Sequence, residues 1–226
     1  MTFLDKQYNI DYQFIAIEGN IGAGKTTLSE RLSADMEARL ILEQFTDNPF
    51  LPYFYENPDR YALQVELFFM TERHKQLHEE FSNIDLFQKI TVADYFFLKT
   101  LLFAKNNLKD DEYRLFKRLF KALNNSFAQP DLLIYIHRPI KTLLQNISKR
   151  GRKFETQIKV DYLETIQKAY FDYFDTHPPF PILVIHAEES DFKTTDAHYT
   201  WLLQQLELKY ENGIYHLKPE KLELIS

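Results

Sequence analysis

Cysteine is absent from this chain of 226 residues, and glycine is scarce, with five in all. Without cysteine there is neither a disulfide framework nor a thiolate metal site. With 45% hydrophobic and 15% aromatic residues, the chain has enough apolar side chains for a large core. The length is compatible with one domain over residues 1–226 and would also allow two; we expect one, with residues 209–226 as a tail.

The chain also lacks an excess of positive charge and a long apolar run. Its net charge of −6 argues against a general nucleic-acid binder. No stretch approaches 18 apolar residues, and the N-terminus lacks the apolar run of a signal peptide. These features predict a cytoplasmic protein with neither nucleic acid nor a membrane as its partner.

Three of the five glycines lie close together, in a segment that fits the phosphate-binding pattern G-x-x-x-x-G-K-[ST]. A loop that brings main-chain N–H groups close to an anion needs backbone conformations that glycine allows. The lysine supplies a charge for the β- and γ-phosphates, and the threonine hydroxyl after it is a ligand for Mg²⁺. The segment consists of Gly19, Asn20, Ile21, Gly22, Ala23, Gly24, Lys25, Thr26 and Thr27.

The flanks of this segment have the expected pattern. Residues 12–18 form an apolar run of strand length, and Leu28, Leu32 and Met36 then recur every four residues, as on one face of a helix. Strand, loop and helix in this order direct a helix N-terminus at the phosphates. A tight turn that binds nothing is the alternative, and the flanks favour a nucleoside triphosphate site.

Further apolar runs alternate with helical patterns along the chain. Strands are predicted at residues 12–18, 40–42, 89–93, 132–136 and 181–185. A loop marked by prolines is predicted after the second strand, and helices cover most of the remaining stretches. This alternation predicts an α/β fold with a five-stranded parallel sheet covered by helices on both faces. Asn212 and Gly213 predict a tight hairpin in the tail. Ligands bind at the carboxyl ends of parallel strands, so the residues there are the candidates for chemistry.

Two acids end predicted strands. Glu43 could accept a proton from an acceptor hydroxyl, or it could be an ordinary surface glutamate. Asp94 could hold Mg²⁺ opposite Thr26, or it could cap the helix that begins near Phe96.

Two further segments have functional interpretations. The basic run at residues 149–153 suits a mobile lid that neutralises charge during phosphoryl transfer, and a solvated turn is the alternative. On the helix predicted at residues 59–81, Gln64 and Phe68 share a face suited to hydrogen bonding and stacking with a nucleobase. The alternative for Gln64, and the one favoured by this residue alone, is an ordinary surface glutamine. The pair His74 and His78 lies in a charged stretch and indicates a solvated helix face rather than a metal site.

These residues in this order resemble the deoxynucleoside kinase family, whose members phosphorylate the 5′-hydroxyl of deoxynucleosides. The resemblance covers about residues 14–208, and the segment 48–58 is most similar to bacterial members. It implies ATP as donor, Mg²⁺, a homodimer and a deoxynucleoside acceptor, with deoxyadenosine the expected one. The matching positions are Glu43 for the catalytic base, Tyr55 and Glu155 for the sugar 3′-hydroxyl, Gln64 and Phe103 for the base, Arg150 and Arg152 for the lid, and Asp191 and Phe192 for the adenine of ATP.

The chain departs from the family pattern at two charged positions. The family arginine after Asp94 is Tyr95 here, and we expect Lys99, one helical turn further on, to replace its charge without the bidentate geometry of arginine. A lid-helix arginine is replaced by Asn146. Two other functions stay open: a nucleotide kinase of the thymidylate kinase type, and a module that binds ATP without catalysis. The absence of lysine and arginine from residues 44–55 favours a neutral nucleoside over a nucleotide acceptor.

Overall fold

A computed structural model describes residues 8–43, 48–82, 90–124, 127–152, 155, 158–176, 178–188, 192 and 195–219. The strands are β1 (Phe14–Gly19), β2 (Arg39–Ile41), β3 (Thr91–Ala93), β4 (Leu132–His137), β5 (Ile182–His186) and β6 (Ile214–Leu217). The helices are α1 (Lys25–Asp35), α2 (Leu51–Glu56), α3 (Pro58–Ser82), α4 (Leu98–Asn107), α5 (Asp110–Asn124), α6 (Ile140–Arg150), α7 (Val160–Phe174) and α8 (Asp196–Leu206).

The sheet is parallel throughout the described residues, in the order β2-β3-β1-β4-β5-β6. β1 lies inside the sheet, and its side chains alternate between two buried layers. Ile15 and Ile17 join one layer, and Phe14 and Ala16 face the other side. Because both faces are covered, the strands are apolar runs rather than alternating ones, as expected for a parallel sheet.

The structure corrects three sequence predictions. The sheet has six strands among the described residues, not five, because β6 adds to its edge. The predicted hairpin at Asn212 and Gly213 is wrong, since the residues that follow pair with β5 in parallel. Part of the segment predicted as a loop after β2 forms α2, which begins with a proline in its first turn.

The carboxyl ends of the parallel strands all lie along the same side of the sheet. β1 leads into α1 through the glycine-rich loop, and Glu43 and Asp94 follow β2 and β3. None of the described helices is both long enough and apolar enough to cross a membrane.

Candidate functional site

The glycine-rich loop between β1 and α1 requires glycine at two positions. Gly24 immediately precedes α1 and has the left-handed conformation, with φ 96° and ψ 22°. Gly22 has φ 81°, and a Cβ there would lie 2.8 Å from the carbonyl oxygen of Leu143. A side chain at Gly22 would therefore meet both backbone strain and a clash with α6.

Side chains outside the loop hold its carbonyl groups. Asn146 on α6 donates from Nδ2 to the Gly22 carbonyl at 2.8 Å, and Arg138 donates from Nε to the Ala23 carbonyl at 2.9 Å. The position that lacks the family arginine thus contacts the loop through an amide. Sequence reasoning missed Arg138, which follows β4 directly.

Lys25 lies within the loop, where Nζ donates to the carbonyls of Gly19 at 2.9 Å and Asn20 at 3.1 Å. Burial and the nearby charge of Lys99 lower the pKa of Lys25 to about 8, against the opposing effect of neighbouring carboxylates. An anion bound in the loop would raise that pKa again, because it favours the charged ammonium. The site is therefore prepared for a phosphate.

Thr26 and Asp94 form the link between the loop and β3. The Thr26 hydroxyl donates to Asp94 Oδ2 at 2.6 Å, and Asp94 Oδ1 accepts from the backbone N–H of Glu43 at 2.5 Å. A hydroxyl and a carboxylate are hard oxygen ligands of the kind that Mg²⁺ takes, together with water and phosphate oxygens. The described residues contain no group of three or more acids, histidines or cysteines that could hold a metal ion. The pair thus fits a cation that is shared with the phosphates of a ligand.

Glu43 is buried and contacts two cations. Arg73 donates from Nε and Nη2 to Glu43 Oε1 at 2.8 and 2.6 Å, and Lys99 Nζ contacts Oε2. Burial alone would raise the pKa of Glu43, but the charges of Lys99 and Arg73 hold it well below its ordinary value. The carboxylate is therefore ionised at neutral pH and fixed in position.

Tyr95 and Lys99 show what stands in place of the arginine that the family has after Asp94. Tyr95 is fully buried, and its hydroxyl donates to Gln76 Oε1 at 3.0 Å, so it carries no charge toward Glu43. Lys99, in the first turn of α4, forms an ion pair with Glu43 instead. Arg73 was missed, because its neighbours in the sequence are charged or polar and indicate a solvated helix face.

A cavity lies beside these groups, between α3 and α4. Its walls include Tyr55, Phe103, Arg150 and Glu155, all of which were predicted as site residues. The Lys99 ammonium lies 5.6 Å from the centre of the Phe103 ring. Residues that the sequence did not predict also line it, namely Glu66, Phe69, Arg73, Asn107 and Tyr162.

The structure does not bring the predicted pair Gln64 and Phe68 into this cavity. Gln64 is exposed, and neither residue belongs to the cavity lining, where Glu66 and Phe69 lie instead. Two residues along a helix correspond to about 200° around its axis, so Gln64 and Glu66 point in nearly opposite directions. Gln64 and Phe68 thus lie outside the cavity lining, to which α3 contributes Glu66 and Phe69 among others.

The two lid arginines converge on one carboxylate. Arg150 donates from Nε and Nη2 to Glu155 Oε2 at 3.0 and 2.5 Å, and Arg152 Nη1 lies 3.4 Å from Oε1. Glu155 is buried, and its charge adds to burial in raising the pKa of Tyr55. The lid and the residues predicted for the sugar thus form one cluster.

Of the two residues predicted to contact the adenine of ATP, the structure describes only Phe192. Asp191 lies outside the described residues. Phe192 is buried in the core, and its carbonyl accepts from Arg31 Nη1 at 2.7 Å.

Comparison with known proteins gives a consistent result. Residues 15–210 match the family described as deoxynucleoside kinase. A deoxyguanosine kinase of Bacillus subtilis is 36% identical over 79% of this chain and 88% of its own length. A deoxyadenosine kinase of Lactobacillus acidophilus is 28% identical over 87% and 96%. A solved deoxyadenosine kinase of M. mycoides with bound dATP superimposes with a TM-score of 0.74 at 25% identity, covering 87% of this chain and 100% of that one.

Proposed function

This chain belongs to the deoxynucleoside kinase family, and from that premise we propose that it transfers the γ-phosphoryl group of ATP to the 5′-hydroxyl of a purine deoxynucleoside. The observation that carries the proposal is the position of Glu43. The backbone N–H of Glu43 donates to Asp94, which also accepts from the Thr26 hydroxyl of the phosphate-binding loop. Arg73 and Lys99, which form ion pairs with the buried Glu43 carboxylate, also line the neighbouring cavity. Donor and acceptor sites therefore meet at one ionised group.

The donor side uses the loop at residues 19–26. Lys25 would leave the loop carbonyls that it contacts and bind the β- and γ-phosphates. Thr26 and Asp94 would hold Mg²⁺, which, when bound, neutralises charge on the phosphates. The lid arginines Arg150 and Arg152 would exchange part of their contact with Glu155 for the transferred group.

The acceptor side uses the cavity between α3 and α4. Phe103 offers an aromatic face to the base, and Tyr55 and Glu155 offer a hydroxyl and a carboxylate to the sugar 3′-hydroxyl. The curated relatives named above act on deoxyguanosine and deoxyadenosine by name, which supports a purine acceptor.

Glu43 would orient the 5′-hydroxyl and accept its proton as the oxygen attacks the phosphoryl group. Because the pKa of Glu43 is held low, the proton moves late, which suits a loose transition state in which the attacking oxygen bonds weakly. General-base assistance contributes roughly 10²- to 10⁴-fold to the rate.

The test is the release of ADP in the presence of each of the four deoxynucleosides, with thymidine monophosphate as a comparison. We expect turnover with a purine deoxynucleoside and a decrease in kcat of roughly 10²- to 10⁴-fold in Glu43→Gln. Glu30→Gln, an exposed carboxylate-to-amide change on α1, is the matched control. Circular dichroism and deoxynucleoside binding would verify that the Glu43 variant is folded. Near-normal turnover of a folded Glu43→Gln protein would remove Glu43 from the mechanism, and turnover of the monophosphate alone would refute the acceptor.

A further inference from the structure

The cavity contains a carboxylate that neither the phosphate site nor the sugar contacts explain. Glu66 lies on α3, is only 2% exposed and faces the cavity that contains Phe103. Its Oε1 accepts from Asn107 Nδ2 at 2.6 Å. Its Oε2 is buried and has no hydrogen-bond partner among the residues that the structure describes.

The cations near Glu66 are engaged elsewhere. Arg73 on α3 and Lys99 on α4 both form ion pairs with Glu43. The other titratable side chains that line the cavity are Lys25, Tyr55, Arg150, Glu155 and Tyr162. The Tyr162 hydroxyl lies 3.3 Å from Asn107 Nδ2. Burial is the largest influence on the carboxyl and raises the pKa of Glu66 to about 7.

A buried carboxyl with an unused oxygen destabilises a fold, since burying an ionised group without a partner is costly. Such a group is explained most simply by a ligand that supplies the missing hydrogen bonds. Glu66 and Phe103 line the same cavity, and a base stacked on the Phe103 ring would present its edge to the side walls of that cavity.

We propose that Glu66 binds the Watson–Crick edge of the base and makes this enzyme select deoxyguanosine. The inference rests on the proposed function. An ionised carboxylate only accepts hydrogen bonds, and guanine offers it two adjacent donors, N1–H and the N2 amino group. Adenine offers one donor at N6 and, beside it, the acceptor N1, which an ionised carboxylate repels.

Protonation of Glu66 inverts this preference. A neutral carboxyl has one donor and one acceptor, which match N1 and the N6 amino group of adenine. The selection of guanine should therefore weaken as the pH falls below about 7. This assignment replaces the expectation of deoxyadenosine, which rested on resemblance alone.

The test compares kcat/KM for deoxyguanosine and deoxyadenosine in the wild-type protein and in Glu66→Gln. A glutamine amide has a donor and an acceptor, so it suits adenine at every pH. We expect the guanine-to-adenine ratio of kcat/KM to exceed one in the wild type at pH 8 and to fall about 10- to 100-fold in Glu66→Gln. The wild-type ratio should also fall between pH 8 and pH 6, whereas the ratio of Glu66→Gln should stay constant.

Two further variants sharpen the result. Glu79→Gln makes the same chemical change at an exposed position of α3 and should leave the ratio unchanged. Gln64→Leu tests the residue predicted from the sequence and should likewise leave it unchanged, because Gln64 lies outside the cavity lining. A loss of the ratio in Gln64→Leu together with an unchanged ratio in Glu66→Gln would overturn the assignment.

The outcomes separate this inference from the proposed function. Turnover of deoxynucleosides with the same ratio in wild type and Glu66→Gln would refute the role of Glu66 and leave the kinase intact. Turnover confined to pyrimidines would refute both the role of Glu66 and the purine acceptor, and would leave only the kinase activity itself. If no deoxynucleoside were phosphorylated, the proposed function would fail, and calorimetric titration with deoxyguanosine and deoxyadenosine would then decide the role of Glu66. Equal affinities for the two would overturn it.

Discussion

At the scale of single residues, the site depends on how charges are shared around Glu43. One carboxylate contacts two cations in a buried environment, with Arg73 on one oxygen and Lys99 on the other. Ion pairs of this kind add little net stability, but removing one partner leaves an uncompensated buried charge. The arrangement therefore points to chemistry rather than to stability, since it keeps Glu43 ionised where burial would favour its neutral form.

Replacing Lys99 with methionine should move the acidic limb of the rate profile. The pKa of Glu43 is depressed in the folded protein, so its ionised form persists as the pH falls below the ordinary value of 4.5. Without Lys99 that pKa rises, and kcat should begin to decline at a higher pH, by about one unit or more. The measurement is kcat between pH 3 and pH 8 at saturating substrate, because the acidic limb lies below pH 4.5.

Lys105→Met provides the control for this change, because Lys105 is exposed on the same helix. Superimposable profiles for wild type and Lys99→Met would show that Glu43 does not set the acidic limb.

The ion pair between Glu43 and Lys99 also affects stability. The contribution of Glu43 to the free energy of unfolding is present above pH 4.5 and is lost as the pH falls through its depressed pKa. Lys99→Met should therefore be less stable than the wild type at neutral pH but not in strong acid.

The sequence indicated Lys99 but not Arg73, and the reason is physical. Lys99 lies only four residues after Tyr95, where an arginine was expected, so closeness along the chain indicated a nearby cation. Arg73 lies 30 residues from Glu43, and only the packing of α3 against the end of β2 brings them together. Local patterns do not encode that distance.

At the scale of elements, α3 illustrates the limit of periodicity. Its extent was predicted as residues 59–81 and is observed as Pro58–Ser82. The α3 residues that line the cavity, Glu66 and Phe69 among them, were not singled out, because apolar residues occur at most positions between 61 and 70 and leave no clear polar side. Where a helix is apolar almost all round, its orientation is fixed by its neighbours.

The edge strand β6 shows the same limit from another side. Asn-Gly is a local turn signal, whereas the pairing of Ile214–Leu217 with β5 joins segments about 30 residues apart. Its side chains alternate, with Tyr215 and Leu217 packed against one core layer and Ile214 against another. Residues 214–217 therefore extend the sheet by one strand instead of forming the predicted hairpin.

Leu217→Ala should lower stability without affecting the reaction. Because Leu217 is only half-buried, we expect a loss of about 1 kcal/mol, less than for a fully buried leucine. Urea unfolding followed by circular dichroism measures this change, and kcat should stay at the wild-type value. Lys218→Ala, at the exposed neighbouring position, is the control. An unchanged urea midpoint for Leu217→Ala would mean that β6 does not contribute to the stability of the sheet.

At the scale of the whole molecule, the carboxyl ends of the parallel strands explain why the residues predicted to be functional lie together. β1, β2 and β3 all end at the side where α1 begins, so the loop, Glu43 and Asp94 meet there although they are far apart in the chain. This meeting point was predictable, since parallel strands share their carboxyl ends. The cavity wall was less predictable, because it is assembled from α2, α3, α4 and α7, whose relative orientation the strands do not set.

The surface of α5 raises the question of assembly. Phe116 and Phe120 are buried against the core, while Leu115 and Leu119 are 53% and 42% exposed one turn apart. Two exposed leucines one turn apart are apolar surface that contact with a second chain would bury. Resemblance to the family implies a homodimer, and a two-fold contact would place the patches of two copies against each other.

We predict that the double substitution Leu115→Asp with Leu119→Asp converts a dimer into a monomer. Two carboxylates on each facing patch would repel one another and could not be desolvated without a partner. Light scattering coupled to size exclusion gives the mass of each species directly, against 27.1 kDa for one chain. Lys117→Asp adds a carboxylate at another exposed position of α5 without removing an apolar side chain, and it should remain dimeric. A wild-type mass near that of one chain would refute the dimer itself, whereas an unchanged dimer in the double variant would locate the interface away from α5.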